Sequence, residues 1–187
     1  MKKILSAAAV ALLATAAPAF AAENLTAAFN TPTGATTTGT YFGQVRVTVS
    51  GTGFSNGNTV NDAFYQTVSQ ARNSGLYQLA YTAGSFASTG ATRNQAVANS
   101  ILDGMVPAYS ANNTYSFVLN TGLSQANASV LSFGVADDNY RDNGGSYTFS
   151  VSAVPEPATW GMMLMGFGMI GFGLRSYKRS STKVTYA

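Results

Sequence analysis

Gln44-Val45-Arg46-Val47-Thr48-Val49-Ser50 alternates without a break, with a valine at every second position and a polar side chain between. Successive side chains of a strand point to opposite faces, so this pattern makes one dry face and one wet face at a period of two. Residues 76–81, 115–119, 130–135 and 147–151 repeat the theme. In the last of these Tyr147, Phe149 and Val151 share one side, and Thr148 and Ser150 the other. Gly51, Gly53, Gly57, Gly84, Gly122 and Gly144-Gly145 punctuate the spaces, where turns are expected. No window sustains a helical period, although residues 94–102 suit a short helix. Short strands at this spacing predict an all-β body, a two-sheet β-sandwich or jelly roll, over residues 22–153. Fixed-period repeats are absent.

Composition removes whole classes of chemistry. The chain has no cysteine and no histidine. Thiolate catalysis, histidine-based triads and Cys/His zinc sites are therefore excluded. What remains is oxygen chemistry from Asp, Asn, Ser, Thr and backbone carbonyls, which suits calcium or sugar hydroxyls.

Two loops carry such oxygens. Thr52-Gly53-Phe54-Ser55-Asn56-Gly57-Asn58 leads on to Asp62, and Asp137-Asp138-Asn139-Tyr140-Arg141-Asp142-Asn143-Gly144-Gly145 precedes the last strand. Acidic and amide side chains at close spacing, followed by glycines that turn the backbone, suit a calcium loop. The candidate ligands are Asp137, Asn139, Asp142 and Asn143. It is no EF-hand, because the spacing departs from D-x-[DN]-x-[DN]-G and no glutamate closes it. The competing reading is an Asx-rich loop whose side chains bond backbone amides and hold no ion. Asp62 reads first as a buried, hydrogen-bonded structural acid.

The two ends differ from the middle. Met1-Lys2-Lys3, an alanine-rich apolar run and Ala19-Phe20-Ala21 compose a signal peptide over residues 1–21, with cleavage after Ala21. At the other end, Val154-Pro155-Glu156-Pro157-Ala158-Thr159 leads into an uncharged run, 160–174, beginning with Trp160. Arg175, Lys178 and Arg179 follow within a basic stretch, 175–179, and residues 180–187 would be a cytoplasmic tail. The prolines favour an extended, accessible segment. The run is a short candidate for a single transmembrane helix, with Trp160 at one interface and the basic residues at the cytoplasmic one. Gly166-Phe167-Gly168-Met169-Ile170-Gly171 fits GxGxxG, but no acidic residue or βαβ context follows, so it is no dinucleotide fingerprint.

The formal charge of +3 belongs to these ends. Between Ala22 and Glu156 four arginines face seven acidic residues, with no lysine, a net of −3. Nucleic-acid binding therefore loses its electrostatic support.

Pro155-Glu156-Pro157, Trp160, the apolar run and the basic stretch together resemble the PEP-CTERM sorting signal. That resemblance implies recognition by an exosortase, a membrane protease that removes the tail. It also implies bacteria that make exopolysaccharide and biofilm matrix. Gly161 stands where Ala usually follows the Trp, and Ser176-Tyr177 interrupts the basic run. A second resemblance lies in the body. Val47-Thr48-Val49-Ser50-Gly51-Thr52-Gly53, Asn61-Asp62-Ala63-Phe64 and Asp142-Asn143-Gly144-Gly145-Ser146-Tyr147 are similar, in that order, to segments of small galactose-binding bacterial lectins. It implies a jelly-roll sandwich holding calcium through Asp137, Asp142 and Asn143, with Asn139 near a hydroxyl ligand.

These readings converge on an exported, non-enzymatic protein. It would be anchored in the inner membrane with its body outside, then released to the surface or matrix to bind exopolysaccharide, with calcium as a cofactor. Tyr41, Tyr65, Tyr77, Tyr81, Tyr109 and Tyr140 are candidate stacking residues for sugar. A glycosidase is the enzymatic alternative, but Asp137 and Asp138 are adjacent and point apart. Asp62 with Asp142 or Asp103 would need a separation of about 5–9 Å. An ice-surface role would need a Thr ladder, which Thr36-Thr37-Thr38 does not make.

Overall fold

The computed structural model describes residues 21–55, 59–73, 78–86, 102, 106–154 and 157–179. Strands β1 (Glu23–Ala28), β2 (Ala35–Thr36), β3 (Gln44–Ser50), β4 (Gly53–Ser55) and β5 (Thr59–Asn61) come first. They are followed by β6 (Leu79–Ala83), β7 (Thr114–Asn120), β8 (Leu131–Val135) and β9 (Gly144–Ala153), then helix α1 (Pro157–Arg179). Residues Phe20–Val154 form one compact unit, and α1 belongs to another.

β9 is the spine of the larger sheet. It pairs antiparallel with β1 from Glu23↔Val151 to Ala28↔Ser146, and with β3 from Val45↔Ala153 to Ser50↔Thr148. β4 continues β3 along β9 in the same register, Gly53↔Gly145 and Phe54↔Gly144. β7 pairs with β3, and β5 with β4. The backbone between β3 and β4 passes close over β9. Gly51 has φ +118°, and a Cβ there would lie 2.4 Å from the Ser146 carbonyl oxygen, so only glycine fits. The second sheet runs β2-β8-β6, all antiparallel.

The period-two pattern has the predicted consequence. Val45, Val47 and Val49 are buried, with Tyr115, Phe117 and Leu119 from β7 and Tyr147, Phe149 and Val151 from β9. From the second sheet Leu79, Leu131, Phe133 and Val135 join the same core. Phe133 stacks on Phe149 with ring centroids 5.1 Å apart, tying the two sheets together. Each such buried side chain stabilises by about 1.5–3 kcal/mol relative to exposure. In β8 the alternation of burial fails, and all five residues are buried. The outer face there is covered too: the Ser132 hydroxyl donates to the Gly84 carbonyl at 2.7 Å, and Gly134 lies beneath the Phe86 ring.

The all-β expectation holds for the body, and 44–50 is β3 residue for residue. β1, β2, β4 and β5 are additional to the expected strands, because Asn24-Leu25-Thr26-Ala27, the two-residue β2 and the three-residue β4 and β5 are too short or too weakly alternating to stand out in sequence. The helix expected at 94–102 lies outside the described residues apart from Leu102, which forms an isolated bridge with Leu119.

Candidate functional site: the C-terminal segment and the Asp137 loop

The register of β9 separates the body's ends from its loops. Where β9 finishes, Ala153 pairs with Val45, the Val154 amide donates to the Gln44 carbonyl at 3.0 Å, and Glu23 faces Val151. Entry into β1 and exit from β9 thus share one end of the sheet. Ala21 sits two residues before β1, while Ala19 lies outside the described residues. The Glu23 carboxylate clamps this entry by accepting from the Thr38 and Gly39 amides. Burial acts to raise the Glu23 carboxyl, but those hydrogen bonds outweigh it and leave the group below the usual range.

The opposite end of the sheet holds the polar loops. Gly144 and Gly145 begin β9 beside Phe54 and Gly53, and the Phe29 amide donates to the Gly145 carbonyl at 3.0 Å. Asp137 is buried there. Its Oδ1 accepts from the amides of Asp138 (2.7 Å) and Asn139 (3.3 Å), and its Oδ2 accepts from Asn143 Nδ2. The same Nδ2 donates to the Phe29 carbonyl at 3.3 Å. Asn143 Oδ1 is buried and has no hydrogen-bond partner among the described residues.

Of the four candidate ligands, the fold therefore brings Asp137 and Asn143 together. Asn139 and Asp142 are exposed. The Asn139 side-chain oxygen accepts from the Arg141 amide at 3.4 Å and caps the single 3-10 turn Tyr140–Asp142. Among the described residues no group of three or more acidic, histidine or cysteine side chains could hold a metal ion.

Asp62 is also fully buried. Its Oδ1 accepts from the amides of Phe64 (2.9 Å) and Tyr65 (2.7 Å), and its Oδ2 from the Tyr115 hydroxyl (2.6 Å). Both carboxylate oxygens are engaged, Oδ1 in holding the 62–65 turn and Oδ2 with Tyr115, which fits the structural reading of this acid. Among the tyrosines, Tyr41 and Tyr140 are buried in the core and offer no ring face to a sugar. Tyr65, Tyr81 and Tyr109 are half-buried, and Tyr77 lies outside the described residues. Tyr65 packs edge-on against Tyr109 at 5.6 Å, with the exposed Arg72 guanidinium 5.7 Å from its centroid. The Tyr65–Tyr109 pairing needs residues 44 positions apart and carried no local signal in the sequence.

The C-terminal segment follows directly on β9. α1 spans 23 residues and opens on Pro157, whose fixed φ and missing amide suit the first helical position. Pro155 and Glu156 lie outside the described residues, as do the side chains of Pro157, Trp160, Lys178 and Arg179. From Gly161 to Leu174 the helix shows its apolar side chains to the surface, Leu164 at 68% and Phe172 at 75% exposure, and Arg175 is exposed beyond them. The span expected at 160–174 falls within α1; among the described residues no helix is long and apolar enough to cross a membrane.

No curated protein and no solved structure matches the chain, so the lectin likeness of the body rests on its short motifs. Residues 153–179 match the family model of the PEP-CTERM protein-sorting motif, a span that runs from the last residue of β9 to the last residue of α1. The C-terminal end of this chain is therefore a PEP-CTERM protein-sorting motif, the signal through which an exosortase processes its exported substrates.

Proposed function

We propose that this protein is a non-enzymatic surface or matrix component whose β-body is delivered by its sorting motif and there binds exopolysaccharide. The observation that carries the reading is the placement of the motif immediately behind the last strand of an independently packed body. Residues 1–21 act as a cleaved signal peptide. α1, whose residues 161–174 are uncharged and precede Arg175 within the same helix, holds the chain at the inner membrane until the tail is removed. The body is read as a jelly-roll-like sandwich. The Asp137 loop and Gly144-Gly145 lie at the end of the sheet away from Val45 and Ala153, and this polar end is read as the surface that meets the matrix.

Calcium is the cofactor this reading favours, and one observation supports it. Asn143 Oδ1 is a buried oxygen without a donor among the described residues, on the same amide whose Nδ2 donates to the Asp137 carboxylate and the Phe29 carbonyl. Hard oxygen donors of this kind suit calcium. Asp137, Asn143 and the Phe29 carbonyl would hold the ion, with water or a sugar hydroxyl completing its shell, while Asn139 and Asp142 would stay outside it.

The test of delivery is expression of the full chain in an exosortase-bearing host. The body should reach the surface shortened at its C-terminus, and Glu156→Ala should leave it full length in the membrane. Retention of both forms in the cytosol would overturn the reading. Binding of the released body to the host's own polysaccharide, with and without calcium, tests the matrix role; absence of binding in both conditions refutes it.

A further inference from the structure

The last residues of β9 are held by progressively fewer partners. Val151 is fully buried and paired on both sides, with Glu23 and with Val47. Ser152 and Ala153 are half-buried and pair on one side only, with Arg46 and Val45. Val154 keeps one backbone bond, its amide to the Gln44 carbonyl at 3.0 Å. α1 begins at Pro157, so three residues separate the end of the last strand from the start of the helix. A protease binds its substrate as an extended segment of several residues, and the first two residues of the matched motif, Ala153 and Val154, are still held to β3.

We propose that tail removal requires residues 152–154 to unzip from Gln44, Val45 and Arg46, with opening stopped at Val151. This rests on the sorting reading above and adds its regulation: the folded body sets the rate at which the motif is presented. Local opening of strand ends is the ordinary low-cost fluctuation of a sheet, and cleavage of a transiently opened segment follows the population of the open form. Ser152 and Ala153 are half-buried, Ala153 at the edge of the core, so their departure uncovers little, whereas moving Val151 would expose a fully buried core side chain. A correctly folded body would thus reach its protease through a small, defined opening.

The experiment follows processing of the full chain by immunoblot in an exosortase-bearing host. Insertion of Gly-Ser-Gly-Ser-Gly-Ser between Val154 and Pro155 should shorten the processing half-time by about threefold or more. Val154→Pro, which removes the amide donor, should shorten it by about twofold to tenfold, the range spanned by one backbone hydrogen bond. Unchanged melting of the body checks that the proline variant folds. Equal half-times for the wild type and the linker form would overturn the inference while leaving the sorting reading intact. A wild-type chain that is never shortened would overturn both.

Discussion

The Tyr115 hydroxyl donates to Asp62 Oδ2 at 2.6 Å, joining a strand residue to a turn residue 53 positions earlier with both groups buried. Asp62 holds the turn through its other oxygen, so this bond fastens the 62–65 turn to β7. Asp62→Ala should strip the partners from three donors at once and destabilise the body by about 3 kcal/mol or more. Tyr115→Phe removes one bond and should cost about 1–3 kcal/mol. Urea unfolding followed by fluorescence checks both, and equal losses would refute the distinction.

High pH should unfold the body through its tyrosines. Burial raises Tyr41, and raises Tyr81 to about 12; burial followed by the Asp62 hydrogen bond raises Tyr115, and burial raises fully enclosed Tyr147 well above the ordinary value. A group whose folded pKa lies above its unfolded value keeps its stabilising contribution below the unfolded pKa of about 10. That contribution is lost as pH rises towards the folded values. The melting temperature should therefore hold to about pH 10 and fall between about pH 10 and 12. Absorbance at 295 nm should show tyrosines ionising together with unfolding; ionisation of every tyrosine near pH 10 in a folded body would contradict this.

Glu23 has the opposite sign. Its folded pKa is lowered, so its contribution is present above the unfolded value of about 4.5 and lost as pH falls through the folded value. Glu23→Gln should lower the melting temperature slightly at pH 7 and leave it unchanged near pH 2. The effect is small because the group is partly exposed and solvent screens it.

Two glycines with positive φ should respond differently to alanine. Gly145 has φ +99°, and its Cβ would stand 2.5 Å from the Thr52 carbonyl oxygen. Gly122 has φ +69° and open space around it. Gly122→Ala should cost about 1–2 kcal/mol, from backbone conformation alone. Gly145→Ala should cost more, because β4 must also be pushed off β9. Denaturant midpoints of the two variants measure the difference.

Calcium, if held by Asp137 and Asn143, should raise the melting temperature by roughly 10 °C at a hundredfold excess over Kd. Asp137→Asn should abolish the shift, and Asp142→Asn should preserve it, since Asp142 is exposed outside the buried pair. A titration with no shift in the wild type would leave the loop as an Asx-capped turn.

Much of this protein was legible along the chain. Period-two valines marked β3, the alternating aromatics marked β9, and Pro155-Glu156-Pro157 with its apolar and basic sequel marked the sorting motif, because each signal is written in neighbouring residues. Asp62 was legible as a buried, hydrogen-bonded structural acid, whereas the turn it holds was not. What only the tertiary structure decided was which loop residues meet. Asn143 reaches Asp137 and the Phe29 carbonyl, while Asn139 and Asp142 turn to the surface, and the body's two ends come together because β1 pairs with β9. Those outcomes depend on contacts between residues up to 128 positions apart, as Glu23 and Val151 are. Local pattern carries no information about such pairings until the strands have chosen their partners.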